Sequence, residues 1–192
     1  MKGTKNKILT IASELFAKHG FHKTSMEDIA RASQKAKGSI YYYFKDKESL
    51  FYEVVDKELL HLRRELALVV TDPNKNAAEK FKSYLMLRME ILKESPNYRE
   101  TLNADFHDHF GFVDTLRHAL DRWEKEQFKR IINQGVSDGL FIDQGDKADV
   151  LLDVFLMILK GLEVSYFIQN KYNQWHPYFD DLIDILEKGL SI

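Results

Sequence analysis

The chain has 192 residues, 44% apolar and 30% charged, with no cysteine and a net charge of −2. That balance suits a globular protein with a sizeable core and excludes a disordered tail, a disulfide framework or a thiolate metal site. The first sixteen residues, MKGTKNKILTIASELF, hold no uninterrupted apolar core, and the most apolar run, 150–162, is short and broken by Asp153 and Lys160, so neither a secretory signal nor a membrane span is expected and a cytoplasmic protein is.

The net charge hides a polarity. Residues 1–50 hold ten Lys and Arg against five acids, a net of +5, which leaves −7 for the remainder. A basic head on an acidic body suits one end meeting a polyanion.

Every predicted element is a helix, because no stretch alternates with period two and no Asn-Gly or Asp-Gly hairpin joins two such runs. Helix 1, residues 5–19, places Ile8, Ile11, Ala12, Leu15 and Phe16 on one face, and Gly20 ends it as a left-handed cap. Thr24 and Glu27 read as a capping box that opens helix 2, which ends near Ser33. The turn Gln34-Lys35-Ala36 leads to helix 3, residues 37–44. Asp46 caps helix 4. Its apolar stripe runs from Leu50 to Val69, and its two dozen residues span roughly 37 Å, enough to serve two domains. Helix 5, 77–94, stops before Pro96. Helix 6 falls within 98–110, and helix 7, 113–136, ends at Ser137-Asp138-Gly139.

Helix 8 follows an Asp146 cap and runs to about 170. Asp153, Lys160 and Glu163 share a narrow polar strip on it, and apolar residues cover most of the rest, so it needs two packing partners. Helix 9 covers 178–190. Phe155, Leu159, Leu162 and Tyr166 of helix 8, with Phe179, Leu182, Ile183 and Leu186 of helix 9, are the expected homodimer interface across a two-fold axis. Gly161 suggests a close helix crossing there. The alternative is helix 8 as the central helix of a monomer. The expected fold is all-α, about nine helices, with a helix-turn-helix head at 1–47 and an effector-binding and dimerisation domain at 48–192.

Helix 3 carries the most specific chemistry. Ile40 and Phe44, four apart, are its core anchors, and Tyr42 lies opposite them between Gly38 and Ser39. Lys37 and Tyr41 fall to one side and Tyr43 to the other. Such a face makes sense against DNA: hydroxyls donate to phosphate, lysine supplies charge or reaches a guanine edge, and glycine lets backbone approach. Thr24, Ser25 and Lys47, at helix N-termini, are placed to grip phosphate.

The stretch TSMEDIARASQKAKGSIYYYFKDKESLF resembles the head of the TetR/AcrR family of bacterial transcriptional regulators, whose pattern is T-x-x-x-I-A-x-x-A-x-[VA]-S-[KR]-G-x-[LI]-Y-x-[YH]-F-x-[SN]-K-E-x-L. The match covers residues 5 to about 55 and is specific at Thr24, Ile29, Ala30, Gly38, Ile40, Tyr41, Tyr43, Phe44, Lys47, Glu48 and Leu50. Lys35-Ala36 stands where the family usually has Val-Ser, which removes a hydroxyl commonly used on phosphate and shifts that contact to Lys35. The resemblance implies a homodimer through helices 8 and 9 and an effector pocket enclosed by helices 4 to 7.

In the body, Arg88 falls in the middle of an apolar face of helix 5 formed by Phe81, Tyr84, Leu85 and Leu92. A buried guanidinium must be paired, either with an internal acid such as Asp105 or Asp108 or with an anionic ligand. Tyr84, Arg88, Phe106, Phe110, Trp123 and Gln127 are the expected effector contacts. The run Asp105-Phe106-His107-Asp108-His109 invites a metal reading because Asp105 and His109 share a helical face. His107 and His109, two apart, do not, and no third ligand stands at matching spacing, so no metal is expected. No catalytic constellation, phosphate loop or dinucleotide fingerprint appears, so neither an enzyme nor a cofactor is expected. The expected protein is a dimeric repressor of a pseudo-palindromic operator on double-stranded DNA, released by a small-molecule effector. A helical small-molecule carrier or enzyme with a structural tri-helical head is the alternative.

Overall fold

The computed structural model describes residues 2–103 and 111–191. Asp105, Phe106, His107, Asp108, His109 and Phe110, which carry the metal reading and two of the expected effector contacts, lie outside the described residues. Helices α1 (Lys2–His19), α2 (Met26–Ser33), α3 (Lys37–Tyr43), α4 (Lys47–Thr71) and α5 (Ala77–Lys93) follow the predicted periodicities closely. They are followed by α6 (Pro96–Glu100), α7 (Gly111–Ser137), α8 (Ala148–Glu163) and α9 (Phe179–Leu190). A π-helical turn, Val164–Ile168, extends α8, and Phe141 and Ser191 form an isolated antiparallel bridge. Among the described residues no helix is long and apolar enough to cross a membrane.

Several helix ends differ from the sequence reading. The cap of α2 is Ser25, not Thr24: the Ser25 hydroxyl accepts from the Asp28 N–H while the Asp28 carboxylate accepts from Ser25 N. Thr-x-x-Glu and Ser-x-x-Asp overlap here one residue apart, and both satisfy the rule. Pro96 does not merely end α5; it sits in the first turn of α6, where its missing N–H costs nothing. Asp146 does not cap α8; Asp143 accepts from Gly145 N instead, and a 3-10 turn at Gly145–Lys147 leads in. The Asp46 cap stands, its carboxylate accepting from Ser49 N at 2.8 Å.

The chain packs as two units, Met1–His61 with Ser95–Val113, and Leu62–Glu94 with Asp114–Ile192. The first therefore takes in half of α4 and all of α6 beyond the predicted 1–47 head. Its core is Ile8, Ala12, Phe16, Phe21, Ile29, Ile40, Phe44, Leu50 and Phe51, all buried. Phe16, Phe21 and Phe51 meet at centroid distances of 4.9–5.8 Å.

In the second unit the α8 strip of Asp153, Lys160 and Glu163 is divided: Asp153 stays exposed, Lys160 is half-buried and Glu163 leaves solvent altogether. Asp153 pairs with Lys125 and Lys160 with Asp121, both partners on α7, while Glu163 is fully buried against Arg88. Gly161 is exposed, with nothing within 4 Å of a Cβ built there, so no crossing inside this unit explains it. Gly135 has a definite reason: its carbonyl accepts from Leu140 N and Phe141 N, and a Cβ there would overlap the buried Phe141 ring. Because the overlap is severe, Gly135→Ala is expected to cost about 3 kcal/mol by overpacking, outweighing the roughly 1 kcal/mol gain in helix propensity. Urea unfolding should show a lower midpoint at unchanged slope; an unchanged midpoint would contradict the packing.

Candidate nucleic-acid interface

Helix α3 is held from below by Ile40 and Phe44, 0% and 1% exposed. That leaves Tyr42 outward at 69% exposure and Tyr41 at 44%. Tyr43 is half-buried, and the Tyr42 and Tyr43 rings stand edge to face with centroids 5.0 Å apart. Gly38, Ser39, Tyr42 and Tyr43 line a shallow hollow together with Lys35 and Thr4. Thr4, on α1, was not singled out in the sequence. It is more than thirty residues from α3, and no local pattern marks it.

Lys37 is exposed and paired with the equally exposed Glu27. Each holds the other ionised: Glu27 raises the Lys37 pKa and Lys37 lowers that of Glu27. An exposed pair of this kind is weak, so a phosphate can displace the carboxylate. The Lys37 ammonium also lies 5.9 Å from the Tyr41 ring centroid. A second hollow, lined by His19, Lys23 and Arg31 around Asp28, adds basic groups that the sequence reading passed over.

Three of the expected phosphate contacts are committed inward. Thr24 is 3% exposed, and its hydroxyl donates to Gly20 O at 2.8 Å, so it tethers the α1–α2 loop rather than reaching phosphate. The Ser25 hydroxyl is occupied by Asp28. The Lys47 ammonium donates to Phe21 O at 2.9 Å and lies 4.2 Å from the Phe21 ring centroid.

The same loop is gripped by α6. Glu58 of α4 caps α6, accepting from Asn97 Nδ2 and Tyr98 N, each at 2.7 Å. Asn97 Nδ2 also donates to Ser13 Oγ of α1 at 3.1 Å. At the other end of α6, Glu100 accepts from Phe21 N at 2.7 Å. Gly20, at φ 82°, brings the loop so close that an added Cβ would lie 3.1 Å from Glu100 Oε1. Burial raises the pKa of both Glu58 and Glu100, against the hydrogen bonds that favour their ionised forms. The head is therefore tied to α6 as well as to α4.

Of the expected effector contacts in the second unit, Tyr84, Arg88 and Gln127 are buried and Trp123 is half-buried. Arg88 Nε donates to Glu124 Oε1 at 2.8 Å, and its Nη2 donates to Glu124 Oε2 at 3.0 Å and Glu163 Oε1 at 2.5 Å. The Tyr84 hydroxyl donates to Glu124 at 3.1 Å; burial first, then the Glu124 charge, pushes its pKa well up and keeps the proton on it. Glu124 and Glu163 are thus internal partners of Arg88 that the sequence reading did not name.

The expected dimer residues Leu159, Tyr166, Phe179 and Ile183 are buried within the unit, and Phe155, Leu162, Leu182 and Leu186 are partly so. The exposed apolar face is a different one: Val150, Leu151, Val154, Met157 and Ile158 on α8, with Ile185 on α9.

Comparison with known proteins sets this geometry in a family. The pattern for bacterial regulatory proteins of the tetR family matches residues 8–54. Over 176 residues the chain is 30% identical to a probable acrEF/envCD operon repressor of Escherichia coli K12, covering 87% of this chain and 75% of that protein. The chain belongs to the TetR family. As a TetR-family protein it is a DNA-binding transcriptional regulator, and α2 and α3 are its helix-turn-helix. It is 46% identical over 54 residues to the HTH-type transcriptional regulator QacR of Staphylococcus aureus, an alignment covering 28% of this chain and 29% of QacR. The likeness to that TetR-family relative thus spans under a third of its length. The likeness in fold extends over nearly all of the chain: the regulator FadR of Bacillus subtilis, solved in complex with stearoyl-CoA, superposes with a TM-score of 0.76 at 16% identity, covering 96% of this chain and 98% of that one.

Proposed function

We propose that the protein is a repressor that binds a pseudo-palindromic operator as a homodimer and is released by a small-molecule effector. The observation that carries the reading is the outward face of α3, with Tyr42, Gly38 and Ser39 exposed or half-exposed above the buried Ile40 and Phe44. In this reading Tyr42 and Ser39 donate to phosphate, Lys37 leaves Glu27 for a phosphate or a guanine edge, and Lys35 and Thr4 complete the backbone grip. Tyr41 and Tyr43 flank the contact. Ser25 caps α2, Lys47 anchors the α1–α2 loop through Phe21 O, and Thr24 holds the same loop.

Residues 1–47 serve as the DNA-binding domain and 48–192 as the effector and dimerisation domain. The chain passes between its two packed units at 61/62 within α4, at 94/95 and at 113/114. An effector in the body would reach the head along α4 and also through α6, whose Glu100 holds the α1–α2 loop. A differential affinity of a few kcal/mol between the two head arrangements suffices for release. The FadR complex with stearoyl-CoA supports small-molecule control in a protein of this fold.

Two heads on one duplex need half-sites about one helical turn apart, ~34 Å, or somewhat more. Footprinting of the DNA flanking the gene should show two protected half-sites at such a spacing. Protection of a single site, or none, would overturn the dimeric operator reading. The second copy packs on the exposed α8 stripe, where Gly161 allows close approach. Met157→Glu with Ile158→Glu should therefore give a folded monomer by sedimentation at micromolar concentration, and a dimer that survives both charges would contradict the assignment.

A further inference from the structure

Between α5, α7, α8 and α9 the second unit holds a half-open apolar pocket of about 130 Å³ that contains none of the expected effector contacts. Phe81, Ile132, Leu152, Phe155, Leu186 and Leu190 line it, with Ala148 at the start of α8 and the half-exposed Leu151 at its rim. No lining side chain carries a polar group. Water against these walls finds no hydrogen-bond partner on them, so a guest that displaces it removes apolar surface from water. The walls in turn lack the dispersion contacts that a guest would restore.

The chemistry of the lining selects the guest. An ionised molecule would lose its hydration and find no partner, which costs several kcal/mol. Size selects further. The space lies well below the ~300–1,000 Å³ of pockets for drug-sized ligands, and close to the ~150 Å³ apolar cavity that takes up benzene in an engineered protein. A long acyl chain is far too large to enter whole.

The wall is also aromatic. The Phe81 and Phe155 centroids are 5.8 Å apart, with Phe128 behind them at 6.0 and 5.1 Å and Tyr84 beyond at 4.6 Å from Phe128. Tilted and edge-to-face rings of this kind accept one more ring with favourable quadrupole alignment.

We propose that this pocket is a binding site for a small uncharged aromatic molecule of about benzene to toluene size. As the site of an effector it rests on the repressor reading above; as a binding site it does not.

The test is ¹⁹F NMR of hexafluorobenzene with the full chain, free of DNA, with benzene and benzoate as competitors. The expected result is saturable binding of one molecule per chain, displaced by benzene and at least tenfold less well by benzoate. Ala148→Met and, separately, Leu152→Phe fill the space and should each weaken binding at least tenfold while thermal unfolding stays cooperative. Absence of saturable binding, or binding undiminished in both folded variants, overturns the proposal. Binding seen only in the Met157→Glu, Ile158→Glu variant also overturns it, because a side chain of a second copy would then be the occupant. If benzene binds but leaves the footprinted DNA complex intact, the site stands and its assignment to the effector falls.

Discussion

Arg88→Ala lowers the free energy of unfolding by about 3–5 kcal/mol, the cost of leaving buried charge without its partner. Arg88 is 1% exposed and bridges two carboxylates, Glu124 and Glu163, at 1% and 0% exposure. Its removal leaves both glutamates in the interior without that counter-charge and takes away the fork that satisfies three of their hydrogen bonds. Burial of ions is costly even when they are paired, so the triad as a whole adds little stability over an apolar core. The asymmetry is the point: breaking it costs far more than building it contributes. Urea unfolding of Arg88→Ala against the parent reads the loss directly. A change below about 1 kcal/mol would mean that the carboxylates reach water or another cation once Arg88 is gone. The Tyr84 hydroxyl bond to Glu124 makes Tyr84→Phe a milder companion, expected near 1 kcal/mol.

Lys37→Ala combined with Tyr42→Phe should weaken operator binding by at least ~1–3 kcal/mol while leaving thermal unfolding unchanged. Both side chains are exposed, and neither contributes to the core beneath α3. Loss of Lys37 also frees Glu27, placing an unopposed carboxylate beside the phosphates, so Lys37→Ala should cost more than the lysine contact itself. Glu27→Ala separates the two terms: it should strengthen binding slightly, because Lys37 no longer leaves a partner. Anisotropy titrations at fixed salt measure all three variants. Parent-like affinity in the double variant would remove α3 from the interface.

Much of the head was legible because its signals are local. Ile40 and Phe44 four residues apart set the buried side of α3, and that alone turns Tyr42 outward. The cap was misplaced by one residue because Thr24 and Ser25 both satisfy a capping box, and only the packing of Thr24 onto Gly20 O decides between them. Helix α6 was out of reach, since five residues are too few to display a period and its cap is a glutamate from α4. Glu163 was assigned to a polar strip because a helical wheel treats every charge as seeking water, and the guanidinium that buries it lies 75 residues away in sequence. The side of α8 that the chain itself covers was hidden for a related reason. A helix apolar around most of its circumference shows that two sides are covered, but the wheel does not say which is covered by the chain itself. Leu159 and Val154 look alike in sequence and differ in the structure, at 2% and 42% exposure.

The central claim is that the basic head grips DNA through phosphates. The most direct measurement is the affinity of the full chain for its footprinted operator between 50 and 200 mM salt. A regulator making several phosphate contacts loses affinity steeply, by roughly 0.9 in log K per log unit of salt for each phosphate neutralised. Lys37→Ala should flatten that slope by about one contact. An affinity that does not change with salt, or no binding to DNA at all, would contradict the account and leave a helical carrier or enzyme with a structural head.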